Sequence, residues 1–87
     1  MAQGTFESFK EKLDQLDWPQ DFMFKFIVNS ADAQKVAAIF PEGRIKENPS
    51  RNGKYVSVTI EQIMPDSTSV INKYKEVGEK VEVKMAL

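Results

Sequence analysis

The chain has 87 residues, with 12 Lys and Arg against 13 Asp and Glu and 41% hydrophobic residues, a size and composition that suit one globular domain with one compact core and exclude a disordered chain or a dominant basic surface. A formal net charge of -1 and a pI near 5.4 make nucleic acid an unexpected partner. The absence of cysteine and histidine excludes disulfides, thiolate metal sites and histidine-based catalysis.

No apolar run long enough for a signal peptide or a membrane span follows Met1-Ala2-Gln3-Gly4, so cytoplasmic residence and no membrane partner are expected. Phe6, Phe9, Leu13 and Leu16 recur at helical spacing and predict a helix over about 5–17, ended by Trp18-Pro19. Phe22, Phe24, Phe26 and Val28 then alternate with Met23, Lys25 and Ile27, the period of a strand. Ser30 is placed to cap a second helix, with Asp32 at its positive end, Ala33, Val36, Ala37 and Phe40 as its buried stripe and Pro41 as its stop. Gly43 to Asn48 holds Arg44, Lys46 and Glu47 around Ile45 and reads as a short charged edge strand.

Asn52-Gly53 supplies a left-handed turn into a strand from Lys54 to Ile63, in which Val56, Val58 and Ile60 alternate with Tyr55, Ser57 and Thr59. Asp66 caps a third helix with Val70, Ile71, Tyr74 and Val77 as its stripe and Gly78 as its stop. Val81, Val83, Met85 and Leu87 alternate with Glu82, Lys84 and Ala86 in a last strand.

After the first helix the order is βαββαβ. The Phe22 to Val28 and Tyr55 to Ile60 strands are richest in aromatic and β-branched residues and belong at the centre, while the charged strands belong at the edges. Right-handed crossovers then place both later helices on one face. The expected fold is an α+β ferredoxin-like sandwich, a four-stranded antiparallel sheet with two helices on one face, plus the N-terminal helix, as a single domain over 1–87 with its βαββαβ core at about 21–87. The opposite sheet face carries Met23, Lys25, Ile27, Tyr55, Ser57, Thr59, Glu82 and Lys84, and the N-terminal helix or a second subunit is expected to rest on it.

Arg44, Lys46, Arg51 and Lys54 gather around one hairpin with Asn52, Gly53 and Tyr55, where amides near Gly53 would face an anion or an acidic partner. These seven residues are the candidate contact site, and an ordinary solvated edge and turn would use the same residue types. Asn52-Gly53-Lys54-Tyr55 resembles an RNA-recognition signature, but only Tyr55 is placed to stack and Lys54 and Val56 stand where paired aromatics belong. No catalytic, cofactor or metal residues are expected: Ser67, Thr68 and Ser69 read as helix-start chemistry, and Glu61, Glu76, Glu79 and Glu82 repeat no known ligand loop. Catalytic domains of acylphosphatase type need an arginine, and copper chaperones two cysteines, in the loop that here reads Asn29-Ser30-Ala31-Asp32.

Trp18-Pro19, Phe22-Met23-Phe24-Lys25, Ser50 to Thr59, Tyr74 and Val83-Lys84-Met85-Ala86-Leu87 occur in one order and register that resembles the YbeD family of small bacterial proteins, from about Leu13 to the end. The resemblance implies a ferredoxin-like fold similar to ACT regulatory domains and a regulatory role, proposed for members to include lipoate metabolism. The chain departs from that pattern in a second helix about two turns shorter, and its first loop lacks the glycine at which ACT domains admit an amino acid ligand. The expected function is a non-enzymatic regulatory or protein-interaction module, with a protein or small metabolite as partner and a homodimer as one form. The alternative is an ACT-like small-metabolite sensor, with an enzyme third.

Overall fold

The computed structural model describes the backbone of residues 2–86 and the side chains of residues 7–86. The elements are α1 (Ala2–Asp14), β1 (Gln20–Asn29), a 3-10 turn (Ser30–Asp32), α2 (Ala33–Ile39), β2 (Arg44–Pro49), β3 (Tyr55–Met64), α3 (Ser67–Lys80) and β4 (Val83–Ala86). The architecture is α+β, with three α-helices and a four-stranded antiparallel sheet in the order β2-β3-β1-β4.

The two apolar strands are central, as expected, and pair along their whole length from Gln20 opposite Met64 to Asn29 opposite Tyr55. Because successive strand residues point to opposite faces, Phe24, Phe26 and Val28 share a face with Val56, Val58 and Ile60, and all six are buried. Val36, Ile39 and Phe40 around α2 and Val70, Ile71 and Val77 of α3 complete the same core. Fully burying each such side chain contributes about 1.5 to 3 kcal/mol, against about 1 to 2 kcal/mol of backbone entropy for each ordered residue. So short a chain therefore depends on its aromatic residues.

The amino-terminal helix packs on α3, which corrects the expectation that it rests on the open sheet face. Phe9 meets Tyr74 edge-on with ring centroids 5.3 Å apart, Leu13 joins the main core, and the Ser67 hydroxyl donates to the Asp14 carboxylate. The helix ends at Asp14, short of the expected 17, where Trp18 Nε1 donates to Leu13 O at 2.8 Å. Leu16, expected on the buried stripe, lies beyond that end and is exposed. The Trp18-Pro19 peptide is cis. Phe6, expected on the same stripe, has its side chain outside the described residues, and Leu87, expected in the last strand, lies outside them altogether.

Three other local expectations change. Ser30 does not cap α2; its hydroxyl donates to Gly53 O and its amide to Lys54 O, so it ties the end of β1 to the neighbouring hairpin. Gly78 does not stop α3, which continues to Lys80 and ends where Val81 turns extended. The β1–β4 pairing shifts register between Ile27 and Val28, so Met85 faces out beside Ile27 while Val83 pairs with Val28 on the core side. Met85, expected to face inward, belongs to the open face, and Glu82 precedes β4.

An added methyl at Gly78 meets nothing within 4 Å. Since alanine removes backbone entropy from the unfolded chain, Gly78→Ala is expected to stabilise the protein by about 0.5 to 1 kcal/mol, read as a higher urea midpoint. An unchanged or lower midpoint would place Gly78 outside a regular helix.

Candidate functional site

The hairpin between β2 and β3 is closed by its own polar residues. Ser50 N donates to Tyr55 O at 2.8 Å and Gly53 N to Ser50 O at 2.9 Å, with Gly53 at φ +74, a conformation that costs glycine little. Ser50 Oγ accepts from Tyr55 N at 3.1 Å and donates to Asn52 Oδ1 at 3.0 Å, and the same Asn52 oxygen accepts from Lys54 N at 3.0 Å. The Gly53, Lys54 and Tyr55 amides expected to face an anion are therefore spent inside the loop. The Ser-x-x-Gly-x-Tyr pattern builds a turn.

Of the seven candidate residues, Arg51, Asn52, Gly53, Lys54 and Tyr55 meet at the hairpin tip, where Lys54 Nζ lies 5.3 Å from the Tyr55 ring centroid. Arg44 sits at the opposite end of β2, 3.1 Å from Asp21 and 3.9 Å from Glu61. Lys46 lies between them on the strand. The expected four-residue basic cluster is thus divided, and its Arg44 charge is balanced by two carboxylates.

The larger surface is the open sheet face. Register places Lys46 opposite Thr59 and Thr59 opposite Lys25, so the two lysines flank one threonine of the central strand. The neighbouring rows are Asn48, Ser57, Ile27 and Met85 on one side and Arg44, Glu61 and Met23 on the other. Met23, Ile63 and Met85 are 56%, 68% and 51% exposed, which marks this face as apolar surface left without cover by the three helices. Lys25 and Lys46, like Lys12 and Lys54, form no ion pair among the described residues, whereas Lys10, Lys35, Lys73, Lys80 and Lys84 do. Lys46 was legible in the sequence only as part of the hairpin. Counting back through the turn puts it on the face of Lys25, a signal that parity alone supplies.

A shallow depression of about 360 Å³ lies between α2 and α3, lined by Lys35, Ala38, Ile39 and Lys80. Both lysines are engaged, Lys35 with Asp32 at 3.5 Å and Lys80 with Glu76 at 3.1 Å. Among the described residues no group of three or more acidic side chains is placed to hold a metal ion, and no helix is long and apolar enough to cross a membrane.

The perturbed carboxylates belong to the helix junction. Asp66 caps α3 by accepting from Ser69 N at 2.7 Å, and that backbone bond, followed by the Ser69 side chain, holds its pKa below the ordinary carboxylate value. Asp14 is lowered first by the Ser67 hydroxyl and then by Lys10. A carboxylate whose folded pKa is depressed contributes stability above its unfolded pKa and loses it as pH falls through the folded value. Asp66→Asn, which keeps an acceptor but does not titrate, is therefore expected to lose less stability on acidification through that window than the native protein. Denaturant midpoints across an acid pH series check this, and parallel acid limbs would deny Asp66 a part in them.

No curated protein and no solved structure matches the chain. The model of a family described as a protein of unknown function (DUF493) matches residues 14–87, which covers β1 through β4 and agrees with the resemblance to YbeD-like proteins. The chain belongs to that family.

Proposed function

We propose that the protein is a non-enzymatic interaction module with a regulatory role, acting in the cytoplasm through the open face of its sheet. The observation that carries this reading is an apolar sheet face with Met23, Ile63 and Met85 exposed and, at its middle, two lysines that form no ion pair among the described residues. The strand order β2-β3-β1-β4, read from its other edge as β4-β1-β3-β2, supports assigning the sheet and its two covering helices to the ferredoxin-like, ACT-like class. Folds of that class host many activities, so the surface rather than the topology bears the functional argument.

A small-metabolite sensor is the second reading, favoured by the depression beside Ala38 and Ile39. It ranks lower because Ser30 in the first loop spends both its amide and its hydroxyl on the hairpin. Affinity capture of the tagged protein from lysate of its source organism, with and without nuclease, tests the choice. A stoichiometric protein partner that survives nuclease and the Arg51→Glu/Lys54→Glu change is expected. Absence of any partner, together with a melting point raised by a metabolite panel, would replace the module with the sensor.

A further inference from the structure

We propose that the open sheet face docks an amphipathic helix of a partner protein whose apolar stripe is bordered by carboxylates on both sides. This rests on the interaction-module reading and names its surface and the chemistry of its partner. β3 lies between β1 and β2, and adjacent strands are about 4.8 Å apart, so Lys25 and Lys46 stand roughly 10 Å apart across Thr59. A helix with its side chains is about 10 to 12 Å across. Laid along β3, it would sit over the short side chains of Ser57 and Thr59 with one lysine at each flank.

The apolar part of the contact is supplied by Ile27, Met85, Met23 and Ile63. Methionine side chains adapt to irregular partner surfaces, which suits a face without a deep pocket. The charges choose among occupants. A second copy placed face to face with its two-fold axis at Thr59 would bring Lys25 and Lys46 against lysines of the other copy, a like-charge juxtaposition that costs affinity. Nucleic acid would meet Asp21 and Glu61 at one end of the face and a single aromatic, Tyr55, at the other. A helix with carboxylates on both flanks pairs with the two lysines and leaves Glu61 to Arg44.

Calorimetric titration with two synthetic helical peptides of about 18 residues tests this, one with Glu and one with Lys bordering the same leucine stripe. The Glu-bordered peptide is expected to bind the native protein and to bind Lys25→Glu/Lys46→Glu at least about tenfold more weakly, a change of about 1.4 kcal/mol. That variant should prefer the Lys-bordered peptide, and Arg51→Glu/Lys54→Glu should bind like the native protein. Circular dichroism verifies folding, and Lys25→Gln/Lys46→Gln serves if the glutamates disturb it. No binding of the Glu-bordered peptide, equal binding of both peptides, or loss confined to the hairpin variant would overturn the proposal. A lysate partner captured equally by the native protein and by Lys25→Glu/Lys46→Glu would remove this face while leaving the interaction module in place.

Discussion

Phe24→Ala is expected to destabilise the protein by about 3 to 5 kcal/mol, the cost of deleting a large buried side chain together with the cavity left behind. Phe24 is fully buried on the central strand, opposite Ile60. Its ring centroid lies 4.8 Å from that of Phe40, 4.9 Å from Phe22 and 5.3 Å from Tyr74. It thus joins β1 to the end of α2 and to the middle of α3. At roughly 0.05 to 0.15 kcal/mol per residue, so short a domain has little stability beyond such a loss. The urea midpoint should fall steeply with an unchanged slope. A midpoint close to the native value would mean that Phe24 faces solvent and that the register of β1 is wrong.

Gly43→Ala is expected to cost about 1 to 3 kcal/mol, the range for overpacking a filled core. A methyl group there would lie 2.5 Å from Ile60 Cγ2 and 3.3 Å from both Phe40 Cβ and Gln62 Oε1. Ile60 is fully buried and β-branched, so it has little rotamer freedom with which to withdraw. Gly43 N also donates to Phe40 O at 3.1 Å, which holds the turn from α2 into β2 against the core. The same substitution at Gly78 should have the opposite sign, because there the added methyl meets no neighbour. Equilibrium denaturation of both variants checks the contrast. A neutral Gly43→Ala would show that the turn yields and that β2 approaches the core less closely.

The central strands were legible because period two has one solution when a single face is buried: Phe24, Phe26 and Val28 must point together, and Val56, Val58 and Ile60 must face them. The last strand was not, since the shift between Ile27 and Val28 reverses the parity of everything beyond it. Nothing in Val83-Lys84-Met85-Ala86 announces that shift, and it moves Met85 from the expected core to the open face. Gly78 misled for a different reason: glycine after an apolar stripe resembles a helix stop, but α3 carries on to Lys80, with Val77 still in the core.

The candidate site was legible in part. Lys25 and Tyr55 fell on the open face by simple alternation, whereas Lys46 was grouped with its sequence neighbours rather than with its spatial ones. An anion cradle and a self-closing turn draw on the same residue types, so Asn52 and Gly53 in the sequence fit the ordinary turn first and the anion contact second. Hydrogen bonding separates them, since Asn52 Oδ1 and the loop amides are already paired within the hairpin.

The most direct test is a chemical-shift map of the isotopically labelled native protein titrated with the partner recovered by affinity capture. Shifts concentrated on Met23, Lys25, Ile27, Thr59, Lys46 and Met85, and lost in Lys25→Glu/Lys46→Glu, are predicted. Shifts confined to Arg51 and Lys54 at the hairpin tip, or to the α2 and α3 surface around Lys35 and Lys80, would contradict docking through the open sheet face.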